Sequence, residues 1–137
     1  MNLNKTIIRY ALITIGIYLF GKIYTVFGHG VTSSSISSAY LYLLGLGVLG
    51  FFLLKLFIPE VVHADSYLIF FRTYNSGVAI LVNRLLLNGI LEIAGGTSAY
   101  VSWFFIAGYG LIVIAILLLA NIILNKCFPF SYSGNRS

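Results

Sequence analysis

Four long apolar runs, separated by short polar connectors, fill most of this sequence. The runs cover residues 7–27, 39–58, 73–94 and 100–124. Each is about as long as the roughly 20 residues that a helix needs to cross the hydrocarbon core of a bilayer. The pattern therefore predicts an all-α fold, a four-helix transmembrane bundle that forms a single integral membrane domain over residues 1–137.

Residues in the connectors indicate where the helices begin and end. Pro59 follows the second run and favours a helix end just before it, because proline has no backbone N–H to donate. Ser37 or Ser38 is a candidate N-cap of the second helix, and Asp65 or Ser66 of the third. The third helix is then expected to begin near Ser66, with its first turns in the interfacial region.

The connectors are too short to hold a soluble domain. The third one, residues 95–99, permits only a tight hairpin, so the third and fourth helices are expected to pack as antiparallel neighbours. Composition agrees, since 60% of the residues are hydrophobic and only 8% are charged. Soluble domains carry about 25% charged residues. The chain is therefore interpreted as a small polytopic membrane protein.

Basic residues predict the orientation of the chain. Six of the eight Lys and Arg residues lie at helix ends on one side of the predicted bundle: Lys5, Arg9, Lys55, Arg72, Lys126 and Arg136. The connectors 28–38 and 95–99 contain no Lys or Arg. Positive residues in short loops stay on the cytoplasmic side, so both termini are predicted to be cytoplasmic. Lys22, near the outer end of the first helix, departs from this pattern.

The net charge of +5 does not indicate a nucleic-acid partner. Nucleic-acid-binding proteins cluster their basic residues on one face, whereas these residues are spread along the chain in positions that fit membrane topology. The predicted surroundings are the lipid bilayer. Compactness and topology favour the plasma membrane of a bacterium.

A glycine motif in the second run admits two interpretations. Gly45, Gly47 and Gly50 spell G-x-G-x-x-G, but the dinucleotide-binding fingerprint needs a preceding strand. Inside a continuous apolar run, small residues are typical of helices that approach closely. Gly108 and Gly110 on the fourth helix are candidates for the facing surface.

The third run carries the candidate site. Arg84 falls near its middle, where an arginine costs about 2.5–3.5 kcal/mol on insertion scales and is a functional hypothesis by default. Asn88 and Glu92 follow at spacings of four and share a helical face with it. Asn75 and Asn83 lie on adjoining faces. We expect this polar stripe to face protein or water rather than lipid.

Three arrangements could neutralise the charges of this stripe. Glu92 lies eight residues from Arg84, about 12 Å along the axis, which is too far for a direct bond, but Asn88 could relay one. Arg84 could also bond backbone carbonyls or hydroxyls of a neighbouring helix. Lys22 lies near the same outer depth as Glu92, because the first and third helices run in the same direction. A Lys22–Glu92 ion pair would account for both charges.

The stripe could be a buried polar network that fixes the register of the helices. Two functions of the protein also remain open. In the first, the protein is a non-enzymatic membrane component that associates with itself or with a membrane complex through this face. In the second, it is a small transporter or flippase, with Arg84 facing a polar or anionic substrate and Glu92 as a coupling acid. Four helices enclose little space, so transport would need a dimer.

Catalytic chemistry has little support in the sequence. His29 and His63 lie on opposite sides of the membrane in the predicted topology, and no His, Cys or acidic cluster has the spacing of metal ligands. No phosphate-binding G-x-x-x-x-G-K-[ST] motif occurs. No enzyme activity, cofactor or metal is predicted.

Overall fold

The protein is entirely helical over the residues that the structure, a computed structural model, describes. These are residues 2–30 and 33–127, so Arg136 lies outside them. Within them, four helices are long and apolar enough to cross a membrane: Leu3–Phe27, Ser34–Phe57, Tyr67–Ala94 and Tyr100–Lys126. The all-α class and the number of candidate spans are therefore confirmed for this part of the chain.

The second span combines three helical segments. We number the α-helices as follows: α1 is Leu3–Phe27, α2 is Ser34–Tyr42, α3 is Gly50–Phe57, α4 is Tyr67–Ala94 and α5 is Tyr100–Cys127. A π-helical segment, Leu43–Leu49, joins α2 to α3, and a 3₁₀ turn, Pro59–His63, precedes α4. A π-helical segment contains an extra residue relative to an α-helix, and such segments are frequent at functional sites.

The second span begins earlier than predicted because its first turn is polar. Its N-cap is Ser33, whose Oγ accepts a hydrogen bond from the N–H of Ile36 at 3.3 Å. The prediction that Ser37 or Ser38 caps this helix is therefore wrong, since both lie inside α2. The prediction for α4 is confirmed, because that helix begins directly after Ser66, although the Ser66 side chain makes no capping bond.

The α4–α5 hairpin is confirmed, and these two helices make the most extensive contact in the structure. Gly95 adopts a left-handed conformation with φ of 71°, which ends α4. Its N–H donates to the carbonyl of Glu92 at 3.3 Å, and Gly96 N–H donates to that of Leu91 at 2.8 Å. This pair of bonds is the Schellman motif, and it needs a residue that accepts positive φ.

The close approach of α4 to α5 depends on facing glycines. A Cβ at Gly77 would lie 3.0 Å from the carbonyl oxygen of Gly108 and 3.1 Å from the nitrogen of Ile112. Gly108 therefore faces α4, whereas a Cβ at Gly110 would meet nothing within 4 Å. The expectation that Gly108 and Gly110 face the glycines of the second span is wrong.

Aromatic rings fill the half of the structure nearest the start of α1. Phe51 is fully buried, and its ring lies 5.5 Å from the ring of Tyr10 and 5.5 Å from that of Tyr74. Tyr10 packs directly on Gly47, where a Cβ would lie 2.6 Å from its Cγ. Tyr74 donates to the carbonyl of Leu46 at 2.8 Å, so it also holds the π-helical segment.

The helices pack mainly against their neighbours in the sequence. α1 contacts the second span, the second span contacts α4, and α4 contacts α5. A groove separates part of α1 from α4, and many large apolar side chains of α1 and α5 are exposed on the outer surface of the structure. Such an exterior suits lipid, because lipid tails are as apolar as these side chains.

Candidate functional site

One end of the site is formed where α2 begins between α1 and α4. Ile36 inserts between two glycines, and a Cβ at Gly21 would lie 2.9 Å from its Cγ2. On the other side, a Cβ at Gly89 would lie 3.0 Å from the Ile36 nitrogen and 2.8 Å from Ser33 Oγ. The absence of side chains at these two positions therefore lets the serines of α2 reach α4.

A hydrogen-bond network joins the start of α2 to the end of α4. The Glu92 carboxylate accepts from Ser33 Oγ at 2.5 Å, from Ser35 Oγ at 2.6 Å and from Asn88 Nδ2 at 2.8 Å. Asn88 Nδ2 also donates to Ser35 Oγ at 2.8 Å. A carboxylate at this position is favourable, because the N-terminal end of a helix is positively polarised.

Sequence reasoning found two of the four residues of this network and missed the other two. Asn88 and Glu92 were identified from their spacing, and their mutual hydrogen bond is confirmed. Ser33 and Ser35 were not identified as their partners. The sequence indication was that Ser33 and Ser35 lie two residues apart in a serine-rich connector, at the same predicted end of the bundle as Glu92.

Arg84 does not belong to this network. Its guanidinium carbon lies 4.8 Å from the centroid of the Phe105 ring on α5, a cation–π contact, and no hydrogen bond joins it to Asn88. The predicted relay from Arg84 through Asn88 to Glu92 is therefore wrong at its first step. Eight residues turn a helix by about 80° beyond two full turns, so Arg84 points toward α5 while Glu92 points toward α2.

The predicted Lys22–Glu92 ion pair is also wrong. Among the residues that the structure describes, the ion pair within 4.0 Å is the exposed one between Lys126 and Glu60, at 3.5 Å. Lys22 instead lies 5.5 Å from the centroid of the Tyr18 ring on its own helix. The hydroxyls of α2 satisfy Glu92, so it does not need a cation.

Asn75 lies on a different side of α4 from Arg84. Its Oδ1 accepts a hydrogen bond from the Tyr10 hydroxyl of α1, and it lines the groove between these two helices together with Asn83. The five candidate residues thus fall into separate places. Asn88 and Glu92 are together, and Arg84, Lys22 and Asn75 each have different surroundings.

A second polar surface surrounds Arg84, and we call it the Arg84 face. The rings of Phe105 and Tyr109 lie 4.5 Å apart, and the Tyr109 hydroxyl forms a 2.9 Å hydrogen bond with that of Tyr42. Ser102 lines the same shallow cavity as Arg84 and Phe105. The Arg84 face comprises these five residues: Tyr42, Arg84, Ser102, Phe105 and Tyr109.

Arg84 is left incompletely satisfied on this face. Its side chain is half-buried, and its Nε is buried without a hydrogen-bond partner among residues 2–30 and 33–127. A buried N–H without a partner costs about 1–3 kcal/mol. The described residues therefore supply no acceptor to this N–H.

No group of three or more His, Cys, Asp or Glu side chains that could hold a metal ion occurs in the described part of the chain. Comparisons with protein-family models, with curated proteins and with solved structures find no match to this chain. The features of the described residues that bear on function are the two polar clusters and the apolar exterior.

Proposed function

We propose that this chain is a small, non-enzymatic, multi-pass membrane protein that associates with another membrane protein through the Arg84 face. Both termini are cytoplasmic in this proposal, and the location is the plasma membrane of a bacterium. The four long apolar helices and the basic residues at their ends support insertion with that orientation. The bilayer is then the solvent in which the Arg84 face must be covered.

The single observation that carries the association is the Arg84 guanidinium, which lines an open cavity beside Phe105 and whose Nε has no hydrogen-bond partner among the described residues. Within the hydrocarbon core of a membrane, neither lipid tails nor bulk water supplies an acceptor. Charged residues there face protein or a water-filled cavity. The cation–π contact with Phe105 covers one side of the guanidinium only. A neighbouring transmembrane helix that offers a carboxylate or another acceptor would complete it.

Depth within the membrane favours a different chain over a second copy. Arg84 lies ten residues before the end of α4 and Tyr109 nine residues after the start of α5, so both lie about 14 Å from that end of the hairpin. The nearest acid in sequence, Glu92, is about 12 Å farther out. A symmetric pair of parallel copies brings together residues of equal depth, and these include hydroxyl acceptors such as Tyr109 but no carboxylate that could neutralise the charge of Arg84.

The surroundings of Glu92 support a structural role for it. Three hydrogen bonds tie its carboxylate to α2 and to Asn88, which fixes the outer end of the second span on α4. The transporter hypothesis requires Arg84 and Glu92 to face one substrate path. The cavity at Arg84 is lined by Ser102, Phe105 and Ile106, and it does not include Glu92.

Crosslinking in native membranes tests the association. A photoreactive residue at Ile106, which lines the cavity beside Arg84, should crosslink to one discrete protein that mass spectrometry can identify. The same residue at Ile15, exposed on α1, is the matched control and should crosslink to lipid. Substitution Arg84→Leu should abolish the protein crosslink.

Stability of the purified chain separates association from internal packing. Because Arg84 has no hydrogen-bond partner for its Nε within the described residues, Arg84→Leu should leave the unfolding midpoint of the isolated chain in detergent unchanged or higher. A lower midpoint together with an unchanged crosslink would sink the proposal. A crosslink between two copies of this chain would replace the second protein with a homodimer.

A further inference from the structure

A groove of about 450 Å³ lies between α1, α4 and the second span, away from the residues that form the Arg84 face. One wall comes from residues 6–13 of α1 and the other from residues 71–86 of α4, and Leu43 represents the second span. This volume falls within the range of about 300–1,000 Å³ that is usual for ligand pockets. Most of the lining is apolar, so the space suits a hydrocarbon.

The groove is long enough to accommodate an acyl chain of one leaflet of a bilayer. Phe71 and Leu86 are fifteen residues apart on α4, which is about 22 Å along the helix axis. Half of the hydrocarbon core is about 15 Å thick. The groove therefore extends from the end of the helices that carries the N-terminus to beyond the middle of the membrane, and an acyl chain of that leaflet would fit along it.

Arg9 places a positive charge beside the groove, where a lipid headgroup would lie. Arg9 lines the groove on α1 and is exposed, and its guanidinium makes no hydrogen bond or ion pair with any other described residue. Its long aliphatic stem lets the guanidinium reach the interface while the stem stays among apolar groups. Guanidinium groups bind phosphate with two parallel hydrogen bonds.

The polar groups of the groove wall do not oppose an acyl chain. Tyr10 on α1 and Asn75 on α4 both line the groove, and the Tyr10 hydroxyl donates to Asn75 Oδ1. A chain that passes beside them therefore meets a pair that has already satisfied part of its hydrogen-bonding capacity. Asn83 lies farther along and is exposed, so its amide need not be covered by the ligand.

We propose that this groove binds one anionic phospholipid, with its phosphate on Arg9 and one acyl chain between α1 and α4. The site rests on the membrane insertion proposed above and is independent of the association through Arg84. Charge complementarity selects an anionic headgroup over a zwitterionic one, because each basic residue near a membrane surface attracts anionic lipid. The apolar walls hold the chain of either lipid.

Native mass spectrometry of the full-length protein in detergent tests the headgroup. After delipidation, phosphatidylglycerol or phosphatidylcholine with identical acyl chains is added. The wild type should retain one phosphatidylglycerol and bind it more tightly than phosphatidylcholine. Substitution Arg9→Gln should weaken phosphatidylglycerol binding about fivefold, which corresponds to the roughly 1 kcal/mol contributed by one basic residue.

Matched variants separate a site from a general attraction. Arg72→Gln removes an exposed charge near the same end of the helices but outside the groove lining, and it should leave binding unchanged. Ala79→Phe should fill the groove and reduce the retention of both lipids, whereas Ala120→Phe, on exposed α5 surface, should not. Circular dichroism would verify that both phenylalanine variants keep their helices.

Three results would overturn the proposal. These are equal retention of the two lipids by the wild type, equal losses for Arg9→Gln and Arg72→Gln, or normal retention by a folded Ala79→Phe variant. Because the readout is bound lipid rather than a protein crosslink, a failure here leaves the Arg84 association standing. If the Ile106 crosslink were absent while lipid retention was normal, the Arg84 association would be contradicted and the lipid site would stand.

Discussion

Replacement of Gly89 by alanine tests whether α2 is seated against α4. A Cβ at this position would overlap the Ile36 side chain, lie 2.8 Å from Ser33 Oγ and lie 3.0 Å from the Ile36 nitrogen. One of these neighbours is backbone, so the start of α2 must move away as a unit. The hydrogen bonds from Ser33 and Ser35 to Glu92 would lengthen as a consequence.

The expected loss can be worked from these contacts. Overpacking of this kind costs about 1–3 kcal/mol. Each of two lost hydrogen bonds adds about 0.6 kcal/mol, the average between helices in a membrane. The better helix propensity of alanine returns about 0.5–1 kcal/mol. Gly89→Ala should therefore lower the free energy of unfolding by about 2 kcal/mol.

Gly110→Ala is the matched control. This glycine also lies inside a helix, but its Cβ would meet nothing within 4 Å. It should keep the propensity gain of up to about 1 kcal/mol, so the two variants should differ by about 3 kcal/mol. The assay is titration with sodium dodecyl sulfate in mixed micelles, followed by circular dichroism. If Gly89→Ala proves as stable as Gly110→Ala, the close packing of the start of α2 against α4 is refuted.

Two further predictions concern α1 and the orientation. Tyr10→Phe and Asn75→Ala should show a coupling of about 0.6 kcal/mol in a double-mutant cycle of unfolding, and additive losses would contradict their hydrogen bond. In a Cys127→Ser background, an impermeant thiol reagent should label a cysteine at Ser34 in intact cells and one at Asn4 only after permeabilisation. Labelling of Asn4 in intact cells would reverse the proposed topology.

The number of spanning helices was predictable from the apolar runs, but the runs did not mark the first turns, and only for α4 did a capping residue, Ser66, indicate the earlier start. Runs of apolar residues report local composition, and a spanning helix needs about 20 of them. Three helices nevertheless begin four to six residues before the runs do, at Leu3, Ser34 and Tyr67 instead of residues 7, 39 and 73. The first turns of α1 and α2 are mainly polar and contribute little to hydropathy. The first turns of α4 contain the apolar residues 68–71, which the run did not include because Arg72 follows them.

The candidate site was predictable in its parts and not in its connections. Spacing correctly grouped Asn88 with Glu92, because four residues turn a helix by only about 40° beyond one full turn. It also grouped Arg84 with Glu92, and over eight residues the offset doubles to about 80°, enough to aim the two side chains at different neighbours. Which neighbour each one meets depends on α2 and α5, which spacing along α4 does not describe.

The sequence by itself determined that four spanning helices form and that Arg84 lies near the middle of the third, because both follow from the composition along a single helix. Only the tertiary structure decided the partners of that charge. Gly89 and Gly21 admit Ile36, which brings the serines of α2 to Glu92, while Phe105 comes to Arg84. Such pairings depend on how closely separate helices approach each other, and that distance is set by side chains far apart in the sequence.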